Sequence, residues 1–154
     1  MRYIFGGSLR LIKQEDTTGC GLACVAALLM MEYQLVKKTA LELFSWSERK
    51  RVFRTKPEHL TKLLRYYGVD ASLTNFSDVS SYKTASIMGV NLDQKGNFHW
   101  VIFIPSNNGN LVFDPETSEL YQSEYWLNMT DGYKINTYSN MVISTDIEIS
   151  EIKI

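Results

Sequence analysis

QEDTTGCGLACVAALLMM, residues 14 to 31, is the stretch on which the reading of the fold turns. The apolar run from Leu22 through Met31 is long enough for three helical turns, and Thr17, Thr18 and Gly19 ahead of it are turn and cap residues. Cys20 therefore falls at a helix start. A thiol there feels the positive end of the helix dipole and unpaired backbone N–H groups, which favour thiolate over thiol and make a nucleophile. Gln14, six residues upstream on the approach loop, can bring its side-chain amide beside the Cys20 backbone N–H and so offer two donors to a developing oxyanion. Taken alone, the stretch also fits an ordinary buried cysteine and a surface glutamine, because free cysteines are commonly buried.

Working outward, the 154 residues suit one domain, 1–154, and 45% apolar with 21% charged residues is a globular balance. Sixteen basic against seventeen acidic side chains give a net charge of −1, which argues against a nucleic-acid partner. No glycine pattern of a phosphate loop occurs. There is no apolar run of about eighteen residues to span a bilayer and no long apolar core of a secretory signal at the N-terminus. The two cysteines are four residues apart on one predicted helix, where a cross-link would close almost no loop. A reducing, cytoplasmic location is the corresponding expectation.

Residues 2–13 read as a short strand and connector, with a turn at Gly6 and Gly7. A second helix is predicted from about Val36 to Phe44. SWSERKRVFRTK, residues 45–56, follows with five basic side chains around a Trp and a Phe. It reads as a solvated connection anchored by its aromatics, or as a loop flanking a cleft and selecting acidic partners. PEHLTKLLRYY, residues 57–67, is a helix with proline in its first turn, a stripe of Leu60, Leu63 and Leu64, and Gly68 to stop it. His59 near its start reads as a solvated surface histidine. Beyond Gly68 the pattern turns extended: strands are predicted at 69–75, 84–91, 97–104 and 111–113, a short helix at 123–129, and a strand or frayed extension around Ile147 to Ile154. Helices packed against a C-terminal antiparallel meander make an α+β fold, with a helical half at about 14–67 and a sheet half at about 69–154.

The hairpin from Phe98 to Asp114 holds the second chemical element. FHWVIFI, PSNNGN and LVFDP follow one another. Pairing Ile104 with Gly109 across a four-residue loop sets His99 directly opposite Asp114 on one face, close enough to hydrogen-bond. The carboxylate would fix the tautomer of the ring and favour the imidazolium, leaving the other nitrogen for a thiol. A slip of one residue would put the two on opposite faces.

Gln14, CGLAC at residues 20–24, HWV at His99 and FDP around Asp114, together with TKPEHLTKLLRYYGVDA between them, resemble the bacteriocin-processing cysteine peptidases of the papain-like clan. These are the double-glycine leader peptidases that usually form the N-terminal domain of peptide-exporting ABC transporters. The intervals of six from Gln14 to Cys20, 79 from Cys20 to His99 and 15 from His99 to Asp114 fit that family. The likeness covers roughly residues 8 to 130. It implies a papain-like cysteine peptidase fold, with Cys20 as nucleophile, His99 as general base and acid, Asp114 as the residue orienting the imidazole and Gln14 as the oxyanion-hole side chain. Cys24 matches a second cysteine that packs in the helix without doing chemistry. Gly19 departs from the family, where aspartate commonly precedes the nucleophile, and this leaves open how the approach loop is held.

The resemblance implies attack by Cys20 on a carbonyl, loss of an amine protonated by His99, and hydrolysis of the thioester, with no cofactor and no metal. The partner expected is a peptide or protein substrate, in association with a peptide exporter or a host target protein. Three functions stay open: a cysteine peptidase, acting after a double-glycine leader; a glutamine deamidase or acyl-transferring effector delivered into a target cell; and a non-catalytic peptide-binding domain. Gly6 and Gly7 also raise self-trimming after the chain's own double glycine.

Overall fold

The computed structural model describes residues 11–47, 49, 52–69, 71–74, 85–90, 99–105, 109–129 and 135–143. The expected connector over residues 2–10, the Gly6-Gly7 turn and the strand around Ile147 to Ile154 lie outside these residues.

Three helices come first, α1 (Cys20–Leu29), α2 (Tyr33–Leu43) and α3 (Pro57–Tyr66). The strands β1 (Ala71–Thr74), β2 (Ser86–Val90), β3 (His99–Ile104), β4 (Leu111–Asp114) and β5 (Glu119–Gln122) follow, then α4 (Ser123–Met129) and β6 (Ile135–Ile143). Every residue of α1 is buried. Its small side chains, Gly21, Ala23, Cys24, Ala26 and Ala27, allow close approach on all sides, as in a helix enclosed by its own protein. It packs against β3, α2 and α3. α2 and α3 are one-sided: Tyr33, Val36 and Ala40 face inward on the first, Leu60, Leu63 and Leu64 on the second. Gly68, at φ 81°, takes the left-handed conformation that ends α3.

The strands form one six-stranded antiparallel sheet in the order β1-β6-β2-β3-β4-β5. This corrects the expected meander, because β6 returns from the end of the chain to lie between β1 and β2. Residues 135–143 lacked the clean alternation that marked the other strands, and β5 was likewise unforeseen. Alternation along β3 divides the core. Trp100, Ile102 and Ile104 join the helices' cluster, while Val101 and Phe103 meet Met88, Val90, Val112 and Trp126 of α4 on the other face. Among the described residues no single helix is long and apolar enough to cross a membrane.

Candidate active site

Cys20 is the first residue of α1, as its flanking turn residues and apolar run implied. The loop ahead of it is held by a network absent from the sequence reading. Asp16 accepts a hydrogen bond from the Tyr33 hydroxyl at 2.6 Å and pairs with Lys37 at 3.1 Å. Thr18 Oγ1 accepts from the Phe53 N–H at 2.7 Å. A Cβ on Gly19 would stand 2.0 Å from the Tyr33 oxygen, so the absence of a side chain just before Cys20 makes room for the tyrosine that secures this loop.

His99 opens β3 and Asp114 closes β4, and their side chains meet with Nε2 2.8 Å from Oδ1. The expected register needs correction. Ile104 pairs with Leu111, Ile102 with Phe113, a shift of two residues that leaves Asp114 opposite Val101. The loop is longer than expected because Gly109, at φ 112°, is outside the strand, and the shift brings Leu111 and Phe113 opposite Ile104 and Ile102 in the helices' core. A two-residue shift preserves the face, so His99 and Asp114 meet diagonally.

Asp114 is buried at 4% exposure. Its Oδ1 accepts from His99 and from the Glu116 N–H at 3.0 Å, and its Oδ2 accepts from Trp126 Nε1 at 3.1 Å. Burial pushes the carboxyl up, but its hydrogen bond and charge attraction to His99, with the Trp126 and Glu116 donors, bring it below the ordinary carboxylate range. For His99, burial disfavours the charge, yet the hydrogen bonds to Asp114 and to Cys20 and the two negative groups outweigh it and raise the imidazole from 6.5 to about 10. Nε2 is on Asp114, which leaves Nδ1 to serve the sulfur. Cys20 retains 7% of its surface and the His99 side chain 16%, so the pair is buried but not sealed.

The structure thus brings Cys20, His99 and Asp114 together. Gln14 reaches the same place through its backbone, whose N–H donates to Pro115 O at 3.0 Å, one residue beyond Asp114. Its side-chain nitrogen donates to Asp16 O at 3.2 Å and Thr17 O at 3.0 Å, within its own loop. His59 is elsewhere, half-buried on the surface of α3: Nδ1 accepts from the Lys56 N–H at 3.0 Å at the start of the helix, and the ring packs on Phe44 and Trp46. The described part of segment 45–56 is anchored by its aromatics, Trp46 packing against Phe44 and Phe53. It also reaches the site, since Thr55 O accepts from Trp100 Nε1 at 3.0 Å.

A crystal structure described as a double glycine motif protease from an AMS/PCAT transporter in complex with the leader peptide superposes on this chain with a TM-score of 0.57. The match covers 89% of this chain and 91% of the other at 16% sequence identity. The chain shares its fold with a peptidase domain. No family model and no curated protein matches the sequence, so the likeness resides in architecture.

On this peptidase-like fold, the only described group with metal-ligand geometry is His99, Asp114 and Glu116, whose ligating atoms lie within 4.8 Å of one another. A cation would have to displace the proton between His99 and Asp114, which the raised imidazole holds firmly at neutral pH. Trp126 is the functional neighbour that sequence reading missed. The only signal for it was a tryptophan in a predicted short helix, whose indole N–H needs a partner once buried.

Proposed function

We propose that the protein is a cysteine peptidase in which Cys20, His99 and Asp114 act as a triad. The observation that carries this reading is the His99 imidazole, bonded on one side to Asp114 and on the other to the sulfur at the first residue of a buried helix. Cys20 Sγ attacks the carbonyl carbon. The oxyanion is met by the Cys20 N–H, which as a first-turn amide has no intrahelical acceptor. Gln14 supplies a second donor by turning one amide N–H away from Thr17 O. His99, as imidazolium, protonates the leaving amine and the C–N bond breaks to leave a thioester. The now neutral imidazole takes a proton from water, whose oxygen displaces the thiolate and regenerates the pair. Asp114 keeps the ring oriented throughout.

The substrate class we assign is a peptide with a double-glycine leader, supported by the shared architecture with a protease solved with a leader peptide. Action beside a peptide exporter, in a reducing cytoplasm, follows from that assignment. The test is intact-mass analysis of synthetic precursors with a double-glycine leader, incubated with the protein and with its Cys20→Ala variant. Cleavage after the second glycine by the parent alone is the expected result. A gain of about one dalton at a glutamine, the mass of amide-to-acid exchange, identifies a deamidase instead, and binding without any mass change identifies a non-catalytic domain.

A further inference from the structure

We infer that Cys24 is a positioning residue for Cys20 and His99, acting through the backbone of Trp100; this rests on the peptidase reading of Cys20. The two cysteines of α1 are one helical turn apart and both reach the residue after His99. Trp100 N–H donates to Cys20 Sγ at 3.4 Å, and Cys24 Sγ donates to Trp100 O at 3.4 Å. These are ordinary lengths for bonds to or from sulfur. β4 has no equivalent donor to offer, because continuing its register past Ile102 and Phe113 brings Pro115 opposite Trp100, and proline has no N–H. Trp100 is held a third time through its indole, on Thr55 O.

The consequence is geometric. His99 is the first residue of β3, paired with Val90 of β2 and bonded through its ring to Asp114; on the side that faces α1, the contacts that fix this strand end are those of the next residue, Trp100, with the two cysteines. Cys24 is wholly buried, and burial, followed by the charges of Cys20 and Asp114, pushes its thiol up. It therefore remains a donor while the neighbouring sulfur acts as acceptor. Alanine in its place would leave Trp100 O without this donor and loosen the strand end where it faces Cys20. A cysteine chosen only as a small apolar filler would have no such dependence.

The experiment measures the rate of Cys20 carbamidomethylation by iodoacetamide from pH 5 to 10 on the full chain, with the adduct located by peptide mass mapping. Parent, Cys24→Ala, Cys24→Ser and His99→Ala are compared. Cys24→Ala is expected to slow Cys20 labelling at pH 6.5 by about three- to tenfold, the range one hydrogen bond confers on a rate, and to move the profile toward higher pH. Cys24→Ser, which keeps a donor, restores most of the loss. A Cys24→Ala profile superimposable on the parent overturns the inference while leaving the peptidase reading intact, provided His99→Ala still abolishes labelling below pH 7. A parent profile unaffected by His99→Ala overturns both. In the unmodified protein, the Trp100 backbone amide resonance must titrate together with Cys20 labelling; an amide shift that is flat across that range overturns the proposal whether or not the variants fold.

Discussion

His99 and Asp114 meet across the β3–β4 ladder on a diagonal: Nε2 lies 2.8 Å from Oδ1 although the register sets Val101, not His99, opposite the aspartate. The diagonal leaves Asp114 Oδ2 available to a third element, and Trp126 of α4 donates to it. The carboxylate is thereby held from the neighbouring strand, from the turn after its own and from the helix that packs on its own face of the sheet.

Asp114→Asn should uncouple that arrangement without removing its shape. Loss of the negative charge lowers the His99 imidazole from about 10 by about one to three units. On the proposed peptidase function, the alkaline limb of peptide hydrolysis moves down with it, and hydrolysis at pH 7 falls about tenfold to a hundredfold. A full pH–rate profile of the variant is the measurement.

The same pair makes stability depend on pH in a defined direction. The His99 value is raised in the folded chain, so its contribution is complete below about 6.5 and is lost as pH rises through about 10. The Asp114 value is lowered, so its contribution is present above the ordinary value of 3.8 and is lost as pH falls through the depressed one. Urea midpoints of the parent and of His99→Ala should differ most between about pH 3.8 and 6.5 and converge as pH rises toward about 10. A difference that does not narrow between pH 7 and 10 would contradict the coupling.

Trp126→Phe keeps most of the ring packing but removes the indole donor. A buried carboxylate oxygen then loses a partner, at a cost of about 1–3 kcal/mol. The Asp114 carboxyl should rise, so the acid limb of activity shifts to higher pH while the alkaline limb moves little. Thermal unfolding and the pH–rate profile together check this.

Gly19→Ala places a methyl carbon 2.0 Å from the Tyr33 oxygen and should destabilise the chain by about 1–3 kcal/mol through overpacking. Tyr33→Phe alone loses the bond to Asp16, at about 1 kcal/mol. The double variant should be more stable than the two losses added together, because removing the hydroxyl relieves the severest part of the clash, leaving the Tyr33 ring carbon at 3.0 Å and Asp16 O at 3.2 Å. A double-mutant cycle by urea denaturation measures this coupling.

Local pattern alone carried the helix that begins at Cys20, the leucine stripe of α3 and the face shared by His99 and Asp114. Each depends on spacing of a few residues along the chain, and the strand face depends only on odd or even position, which a two-residue shift leaves unchanged. What tertiary structure alone decided is non-local. Gly109 and the apolar pairs across β3 and β4 select the register; β6 enters the sheet between β1 and β2. Trp126 finds Asp114, Tyr33 fills the space at Gly19, and Cys24 reaches Trp100. Such contacts join residues 12 to 76 positions apart, and their energies depend on which surfaces pack together, a quantity that no window of sequence contains.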